Sequence, residues 1–333
     1  MDYFKDPIFS NYHINLYSQH LFANPKLVNQ TLVNSGSNKK IKILWADGFD
    51  YLQWAQLPEF KNSLVLTNCH FNSLPPDISD HIYTVAPSYY GIYHHDYDYE
   101  EVAITKSFNC FMNRLDPGRQ SWALLLVKSG LFDQGYVSVN LDVTREPIKN
   151  KSPQEVFEYY FQTYNSNFID EFTFLKDLVP YKNFVETEDL TPIVLATKFS
   201  IIVETFFHDN TINTFSEKTF RCLQLPRPWV LFSTKGAVDF LKKLNFDVLD
   251  DLVDHSYDLI DNLIDRQQAI LNLSKQLCEL EFSNATLHRC QQAAKHNKQV
   301  LKAMNDQWAI NMENDLTSAK AQLLSLPSSH KSI

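Results

Sequence analysis

The sequence predicts an α/β protein with two domains, each built on a parallel sheet, followed by a helical C-terminal tail. Three observations predict it: short apolar runs typical of buried strands, helical stretches that alternate with them, and a helical pattern from about residue 255 to 326. Strands that alternate with helices indicate parallel sheets, because the helix carries the chain back to the start of the next strand. We place the domains at 1–105 and 106–255 and the tail at 256–333.

The first domain opens with a polar segment that ends in NSGSNKK, a composition typical of a flexible loop. Three apolar runs then predict buried strands: IKILWADG (41–48), SLVLTN (63–68) and HIYTVAP (81–87). Between the first two runs, DYLQWAQLPEF has the pattern of a helix. A polar aromatic loop, YYGIYHHDYDYEE (89–101), follows.

The second domain repeats the alternation. We predict strands at SFNCFMN (107–113), GYVSVN (135–140), KFSIIVETFF (198–207) and PRPWVLF. We predict helices at PGRQSWALLLVKSGL (117–131), in the first half of FSEKTFRCLQLPRPWVLF (215–232) and at GAVDFLKKLNF (236–246). Residues 145–190 have the pattern of an acidic helical insert with a loop. In the tail, Leu287, Ala294, Leu301 and Trp308 fall seven apart, which predicts one apolar helix face.

Composition excludes several classes of protein. The 333 residues are 44% hydrophobic and 21% charged, which is typical of a globular chain. The net charge of −9 argues against a general nucleic-acid binder, which needs a basic face. The 5 cysteines are scattered without a CxxC pair, so they indicate neither a disulfide framework nor a zinc site. The N-terminus lacks the pattern of a signal peptide and no long apolar run occurs, so we expect a cytoplasmic protein without a membrane span.

One charged pair, Glu217-Lys218, stands at the front of an otherwise apolar helix and strand. Thr214 and Glu217 have the spacing of a capping box, and Ser216 is a second candidate for the cap. The free N–H groups of a first helical turn attract anions, and Lys218 adds to that attraction. Glu217 is suited to accept hydrogen bonds from sugar hydroxyls. The alternative interpretation is a helix cap with a solvated Glu-Lys pair.

The order of motifs around this helix resembles that of a known family. FSIIVETF, with Glu204 embedded in the predicted strand, precedes FSEKTF, then RPWVLF, then a Gly and an apolar helix. This order is similar to the C-terminal domain of glycosyltransferases with two Rossmann-like domains facing a cleft (the GT-B type), especially the fucosyltransferase-like group and related phage and bacterial sugar transferases. The resemblance covers about residues 107–265. It implies that Glu204, Glu217 and Lys218 contact a nucleotide-sugar donor.

A second segment, FNCFMNRLDPGRQSWALLLVKSGLFDQGYVSVN, is similar to the stretch that opens the same domain in that family. There, an Arg after the first strand commonly reaches the donor diphosphate. Arg114 follows the predicted strand and Arg119 opens the predicted helix, so the resemblance implies both as candidates and favours Arg114. The alternative is a pair of surface arginines at a loop.

A glycosyltransferase also needs a base that takes the proton of the acceptor hydroxyl as it attacks the anomeric carbon. No motif of the family aligns in the first domain, so candidates come from loops after predicted strands: Asp47, Asp50, His70, and Asp96 within the group His94-His95-Asp96. Asp96-x-Asp98 also looks like the metal motif of the other glycosyltransferase fold, but the order of elements does not suit that fold. We therefore predict that no metal or other cofactor is required.

The tail holds a band of basic residues without acidic neighbours between Glu281 and Asp306. Its members are Arg289, Lys295, Lys298 and Lys302, with His288 and His296 beside them. Such a band is either a solvated helix surface or a contact for a phosphate backbone.

We therefore expect a sugar transfer from a nucleotide sugar to a hydroxyl acceptor. The acceptor is either a glycan or lipid-linked sugar, or a hydroxymethylated pyrimidine in phage-type DNA, and the basic band and the net charge of −9 favour opposite choices. An alternative from a different class is a non-enzymatic binding or assembly protein that has kept the fold. Another user of nucleotide diphosphates is disfavoured, because the sequence has neither GxGxxG nor a Walker loop.

Overall fold

The computed structural model describes residues 13–16, 42–46, 63–67, 70–71, 90, 93–97, 100–112, 117–139, 190–204, 212–213 and 215–325. These residues fall into two compact units. The first takes its members from Met1–Ile92, Thr211–Thr214 and Leu301–Ile333, and the second from Tyr93–Asn210 and Phe215–Val300. Both units contain a parallel sheet, which confirms the α/β character of the chain. The domain boundaries predicted from the sequence stay a prediction.

The sheet of the first unit has three parallel strands. They are β1 (His13–Leu16), β2 (Lys42–Ala46) and β3 (Ser63–Thr67), with β2 in the middle, and β4 (His70–Phe71) follows in the chain. β2 and β3 lie inside predicted strands, whereas the predicted strand at 81–87 lies outside the described residues. β1 lies in the polar segment that opens the first domain, where the sequence predicts no strand. Its alternation of polar and apolar residues covers only four positions, too few to stand out in a polar region.

The remaining strands are β5 (Lys106–Met112), β6 (Gly135–Val139), β7 (Thr197–Val203), β8 (Ile212–Asn213) and β9 (Trp229–Phe232). β8 belongs to the first unit, where it pairs antiparallel with β4. The other four form the parallel sheet of the second unit in the order β6-β5-β7-β9. Each of these four overlaps a strand predicted from its apolar run, and β5, β7 and β9 are mostly buried, as is typical of strands in a parallel sheet.

The α-helices of the described residues are α1 (Pro117–Lys128), α2 (Thr191–Leu195), α3 (Glu217–Leu223), α4 (Ala237–Lys243), α5 (Leu263–Glu279) and α6 (Asn284–Ser325). Two 3₁₀ helices span Phe132–Gln134 and His255–Leu259. α5 packs on the sheet of the second unit, where it contacts β5, β7 and β9. Of the helices described, none has the length together with the apolar character that crossing a membrane needs.

The predicted helical tail is interrupted in the structure. Lys198 Nζ donates to Cys278 O at 2.8 Å and to Leu280 O at 2.9 Å, which binds the last carbonyls of α5. Ser283 Oγ then accepts from Thr286 N at 3.2 Å and caps the start of α6. The break between the two helices therefore follows from a tertiary contact with β7 and from a local cap.

Aromatic side chains fill the core of the second unit. Trp122 of α1 packs against Phe232 of β9 with ring centroids 5.7 Å apart, and Phe108 packs against Phe199 across β5 and β7 at the same separation. Gly135 opens β6 directly against the Phe108 ring, where an added Cβ would lie 2.4 Å from a ring carbon. A side chain at that position would displace the ring, so the close approach of β6 to β5 requires glycine.

A buried hydrogen-bond chain ties β9 to the segment before α5. Leu231 N donates to Tyr257 Oη at 2.9 Å, and Tyr257 Oη lies 3.0 Å from His255 Nδ1. His255 Nε2 lies 2.8 Å from the carbonyl oxygen of Val248 and therefore carries the proton that it donates there. The tyrosine hydroxyl then donates to Nδ1, so the chain is complete only when His255 is neutral.

This hydrogen-bond chain makes the free energy of unfolding depend on pH. Burial lowers the pKa of His255, and the bond to Val248 and the carboxylate of Asp250 offset the effect only in part. Because the unfolded state binds the proton more readily, we expect the free energy of unfolding to fall as pH falls below about 6.5 toward the lower native pKa. Urea unfolding at about pH 7.5 and about pH 5.5 measures this loss. His255→Gln should lose less on acidification than the wild type, and an equal loss in both proteins would contradict the assignment.

Candidate functional site

The sheet of the second unit reverses its strand order between β5 and β7, and the carboxyl ends of its strands form one edge. The chain passes from β5 outward to β6, crosses back to β7 on the other side of β5, and continues outward to β9. In open parallel sheets, ligands bind outside the carboxyl ends of the strands at such a reversal. Glu204 follows the last residue of β7 there, and its backbone N–H donates to Phe232 O of β9 at 3.0 Å.

Glu204 is a buried carboxylate with only 2% of its surface exposed. Its Oε1 accepts from Ser216 N and from Ser216 Oγ, both at 3.0 Å, and also from the hydroxyl of Thr219. Oε2 accepts no hydrogen bond from the described residues. Three donors offset much of the cost of burying the charge, so Glu204 fixes the start of α3 against the end of β7.

Ser216 is the cap of α3, one of the two candidates predicted. Its backbone is extended and its Oγ accepts from Lys218 N at 3.3 Å. Thr214, the other candidate, lies outside the described residues. A hydroxyl that donates to Glu204 and accepts from the helix links the buried carboxylate to the first turn of α3.

Glu217 and Lys218 occupy the first two positions of α3 and form an ion pair between Oε1 and Nζ. The Glu217 side chain is 51% exposed and that of Lys218 is 20% exposed. Burial raises the pKa of Glu217, but Lys218 and then Arg221 outweigh that effect and leave the pKa below its ordinary value. Glu217 therefore stays ionised at neutral pH, and the partial exposure of both side chains leaves the pair within reach of a solute.

The first turn of α4, which follows β9 at the same edge, already donates its N–H groups to a side chain of the protein. Asp258 accepts from Val238 N at 3.0 Å and from Asp239 N at 3.2 Å. Burial raises the pKa of Asp258, and these two N–H donors oppose that shift. Asp258 thus already bonds the first turn of α4, whereas the side chains of Glu217 and Lys218 at the start of α3 are partly exposed.

Arg119, a predicted diphosphate ligand, is buried with 1% of its surface exposed. Its Nε and Nη2 donate to the carbonyl oxygen of Val203 at 3.3 and 3.2 Å. The alternative of a surface arginine is therefore wrong for this residue, which joins α1 to the carboxyl end of β7. Arg114 lies outside the described residues, and its proposed contact with the diphosphate stays a prediction.

A short aromatic segment, Tyr93–Tyr97, is docked on α3, and we call it the docked loop. The Tyr93 ring stacks on Phe220 with centroids 5.0 Å apart and planes 9° from parallel. Gln224 accepts from His95 N at 2.9 Å through Oε1, and its Nε2 donates to Tyr93 O at 2.9 Å. The loop that the sequence indicates as a source of the base therefore lies against the helix that bears Glu217 and Lys218.

Within the docked loop, Asp96 has a side chain that is 95% exposed, and its Oδ1 lies 3.7 Å from His94 Nε2. Burial lowers the pKa of His95, and Arg221 and then His94 add to the shift by opposing a second positive charge. Arg221 thus acts electrostatically on both His95 and Glu217.

The other predicted base candidates are not brought to this edge by any described contact. Asp47 and Asp50 lie outside the described residues. His70 is in β4 of the first unit, where it pairs with Asn213. Their proposed role stays a prediction.

Two functional candidates, Arg221 and Gln224, are missing from the sequence-based interpretation. Arg221 is four residues after Glu217 and so shares its face of α3, a spacing that was readable in the sequence. Gln224 gives no such signal, because its role depends on the docked loop more than a hundred residues away in the chain.

Most of the basic band in α6 is already bonded to the protein. Arg289 makes four hydrogen bonds to the carboxylates of Asp247 and Asp251. Lys298 Nζ donates to Tyr97 O at 2.9 Å, and Lys302 pairs with Asp306. Lys295 is exposed and has no ion-pair partner among the described residues. In the same part of the chain, no group of three or more His, Cys, Asp or Glu side chains has a geometry that could hold a metal ion.

Comparison of the chain with protein-family models, with curated proteins and with solved structures finds no match. The assignment of function therefore depends on the geometry and on the motif order.

The carboxylate of Glu204 should matter more to stability than any exposed charge of α3. Glu204→Ala leaves the Ser216 N–H and the Thr219 hydroxyl without their acceptor, so we expect a loss of about 2–4 kcal/mol in the free energy of unfolding. Glu204→Gln retains an acceptor oxygen and should lose less. Glu217→Ala, at an exposed position, is the matched control and should stay within about 0.5 kcal/mol of wild type. Urea unfolding measures these losses. A Glu204→Ala variant as stable as wild type would show that Glu204 does not hold α3 in place.

Proposed function

We propose that this chain is a glycosyltransferase that moves a sugar from a nucleotide-sugar donor to a hydroxyl acceptor. The observation that best supports it is the link from buried Glu204 to the start of α3, which holds Glu217 and Lys218 by the carboxyl end of β7, one of the two strands that flank the reversal of the sheet. Carboxyl edges of such sheets bind nucleotides in many unrelated proteins. The motif order described above makes a nucleotide sugar the favoured ligand.

In the proposed reaction, the acceptor oxygen attacks the anomeric carbon and the bond to the diphosphate breaks. Negative charge then grows on the leaving diphosphate, which the Lys218 ammonium group stabilises. Lys218 is partly exposed and paired with its neighbour Glu217, so it can exchange that partner for a phosphate at modest cost. Glu217, held ionised, accepts hydrogen bonds from hydroxyls of the sugar or ribose. Glu204 and Arg119, both buried, are proposed here as positioning residues for α3 and β7 in place of the donor contacts predicted for them.

The proposal extends to architecture and location. We propose a GT-B arrangement in which the second unit holds the donor and the first unit supplies the acceptor side. The parallel sheets within each unit are consistent with two Rossmann-like domains. We propose further that transfer needs no metal and takes place in the cytoplasm.

Thermal unfolding with a panel of nucleoside diphosphates and nucleotide sugars tests the donor site. A ligand at about 100 times its Kd should stabilise the native state by about 2.7 kcal/mol, a shift of roughly 2–4 °C in Tm for domains of this size. We expect the shift with one base only, and its loss in Lys218→Ala. Lys243→Ala, an exposed lysine at the end of α4, is the matched control and should keep the shift. A full shift in Lys218→Ala would exclude this lysine from the donor site.

Variants of two residues of α6, Arg289 and Lys295, distinguish a DNA acceptor from a glycan acceptor. Arg289 is engaged with Asp247 and Asp251, so Arg289→Ala should lower stability by about 1 kcal/mol and leave the salt dependence of DNA binding unchanged. If DNA is the acceptor, Lys295→Ala should reduce the salt slope by about one unit on hydroxymethylated duplex. Titration of both variants and wild type over a range of salt measures the slopes. No binding by wild type at low salt favours a glycan.

A non-enzymatic binding or assembly protein is the second candidate. The observation that favours it is the 42-residue helix α6, on which Ile310 is more than half exposed. Failure of the whole nucleotide panel to shift Tm, with a folded protein, would favour this candidate over the enzyme.

A further inference from the structure

A cavity of about 410 Å³ opens on the second unit, at the edge of the sheet opposite Glu204. Its lining comes from the segment 101–104 just before β5, from Arg227 just before β9, and from the connection between α5 and α6. Because β5, β7 and β9 run parallel, the starts of these strands mark the amino edge of the sheet, whereas Glu204 and α3 lie at the carboxyl edge. The cavity is therefore separate from the candidate donor site.

Most of the cavity lining is apolar. Its apolar members are Val102, Ala103, Ile104, Phe282 and Leu287. Ile104 is 37% exposed, and Leu280, two residues before Phe282, is 43% exposed. The volume lies within the range of about 300–1,000 Å³ that ligand pockets span, and exposed apolar side chains beside such a cavity are typical of an interaction site.

The walls of the cavity are held in place by bonds within the protein. Arg227 Nε donates to Thr197 O at 2.7 Å and Nη1 donates to Pro226 O at 2.8 Å, while the Phe282 ring covers the guanidinium group with its centroid 5.0 Å away. Lys198 bonds the carbonyls at the end of α5, directly before this ring. The cavity is thus formed before a ligand arrives, which lowers the entropy that binding costs.

The rim of the cavity is acidic. Glu101 lines it, Glu100 precedes Glu101 in the chain, and Glu281 precedes Phe282. All three carboxylates are exposed, and none has an ion-pair partner among the described residues. The two cations of this corner, Arg227 and Lys198, lie deeper and bond backbone carbonyls. A solute that approaches from water therefore meets negative charge around an apolar centre.

We propose that this cavity is a docking site for a peptide segment of a partner protein in which apolar side chains stand between Lys or Arg residues. The apolar lining takes the apolar side chains, and the carboxylates of the rim pair with the flanking cations. Such an arrangement of apolar centre and charged rim is typical of protein interfaces. Carboxylates on two different lining segments favour cations on both sides of an apolar group, and hence a peptide over a single ammonium ion. The inference is independent of the proposed function.

Fluorescence anisotropy with labelled hexapeptides tests the docking site. Each peptide has two lysines on either side of an apolar pair, which is Leu-Leu, Ile-Phe or Phe-Phe. We expect the full chain to bind at least one of them at low salt. Raising the salt from about 50 to about 500 mM should weaken binding about tenfold or more, because exposed charges are screened.

Variants of the lining and of the rim locate the bound peptide. Ala103→Trp fills the cavity and should weaken binding about tenfold or more, since the apolar anchor loses its place of burial. Glu101→Gln and Glu281→Gln should each weaken it about two- to fivefold, the usual effect of one exposed ion pair. Asp265→Asn removes a charge at the other end of α5, about 20 Å away along the helix, and should leave binding unchanged. All four positions are exposed, so each variant should unfold in urea as wild type does.

Four results would overturn the proposal. A peptide with Ser-Ser in place of the apolar pair could bind as tightly, which would show general attraction between charges. Ala103→Trp could bind as wild type does, which would place the peptide elsewhere. Displacement of the peptide by 2-phenylethylamine at the same concentration would identify a pocket for a small cation. Finally, binding of none of the apolar peptides at low salt would exclude the docking site.

Discussion

The hydrogen bonds on one oxygen of Glu204 are the interaction on which the candidate site depends. They join the end of β7 to the first residues of α3, two elements separated by a stretch that includes β8 of the other unit. The contacts that α3 makes with the docked loop and with α6 depend in turn on these hydrogen bonds. Gln224 fixes the docked loop to the end of α3, and Asn297 of α6 donates to Leu223 O at 3.0 Å. One carboxylate thus sets the position of a helix, a loop and part of a second helix.

β7 is bonded at both ends by buried guanidinium groups. At its start, Arg227 donates to the carbonyl oxygens of Thr197 and Leu195, and at its end Arg119 donates to that of Val203. A planar group with five N–H donors is suited to bond backbone carbonyls where a strand leaves the sheet. The strand that delivers Glu204 is therefore held in register by more than its ladder. Precise placement of the carboxylate follows, which is what a binding site at a strand end requires.

β2, β3 and the four strands of the second unit were predictable because each lies in an apolar run with a clear end, and the Ser216 cap was predictable because its chemistry is local. The break between α5 and α6 could not be predicted, because Lys198, which bonds the last carbonyls of α5, belongs to a strand far away in the sequence. β1 was missed because four alternating residues are too few for a periodicity. At the site, Glu204 stood out as a carboxylate in an apolar run. The roles of Gln224 and Arg119 depend on partners far away in the chain, which no local pattern encodes.

Counting charges along the sequence says less about ligands than tracing where each charge is bonded. α6 looks basic, yet Arg289 is neutralised by two aspartates and Lys302 by one. The chain as a whole carries −9, so an anionic donor would be repelled at long range and must be held by cations close at hand. Lys218 meets that condition, because its only partner in the described ion pairs is the adjacent and half-exposed Glu217. Arg221, one turn further along the same helix, extends the positive surface toward the docked loop.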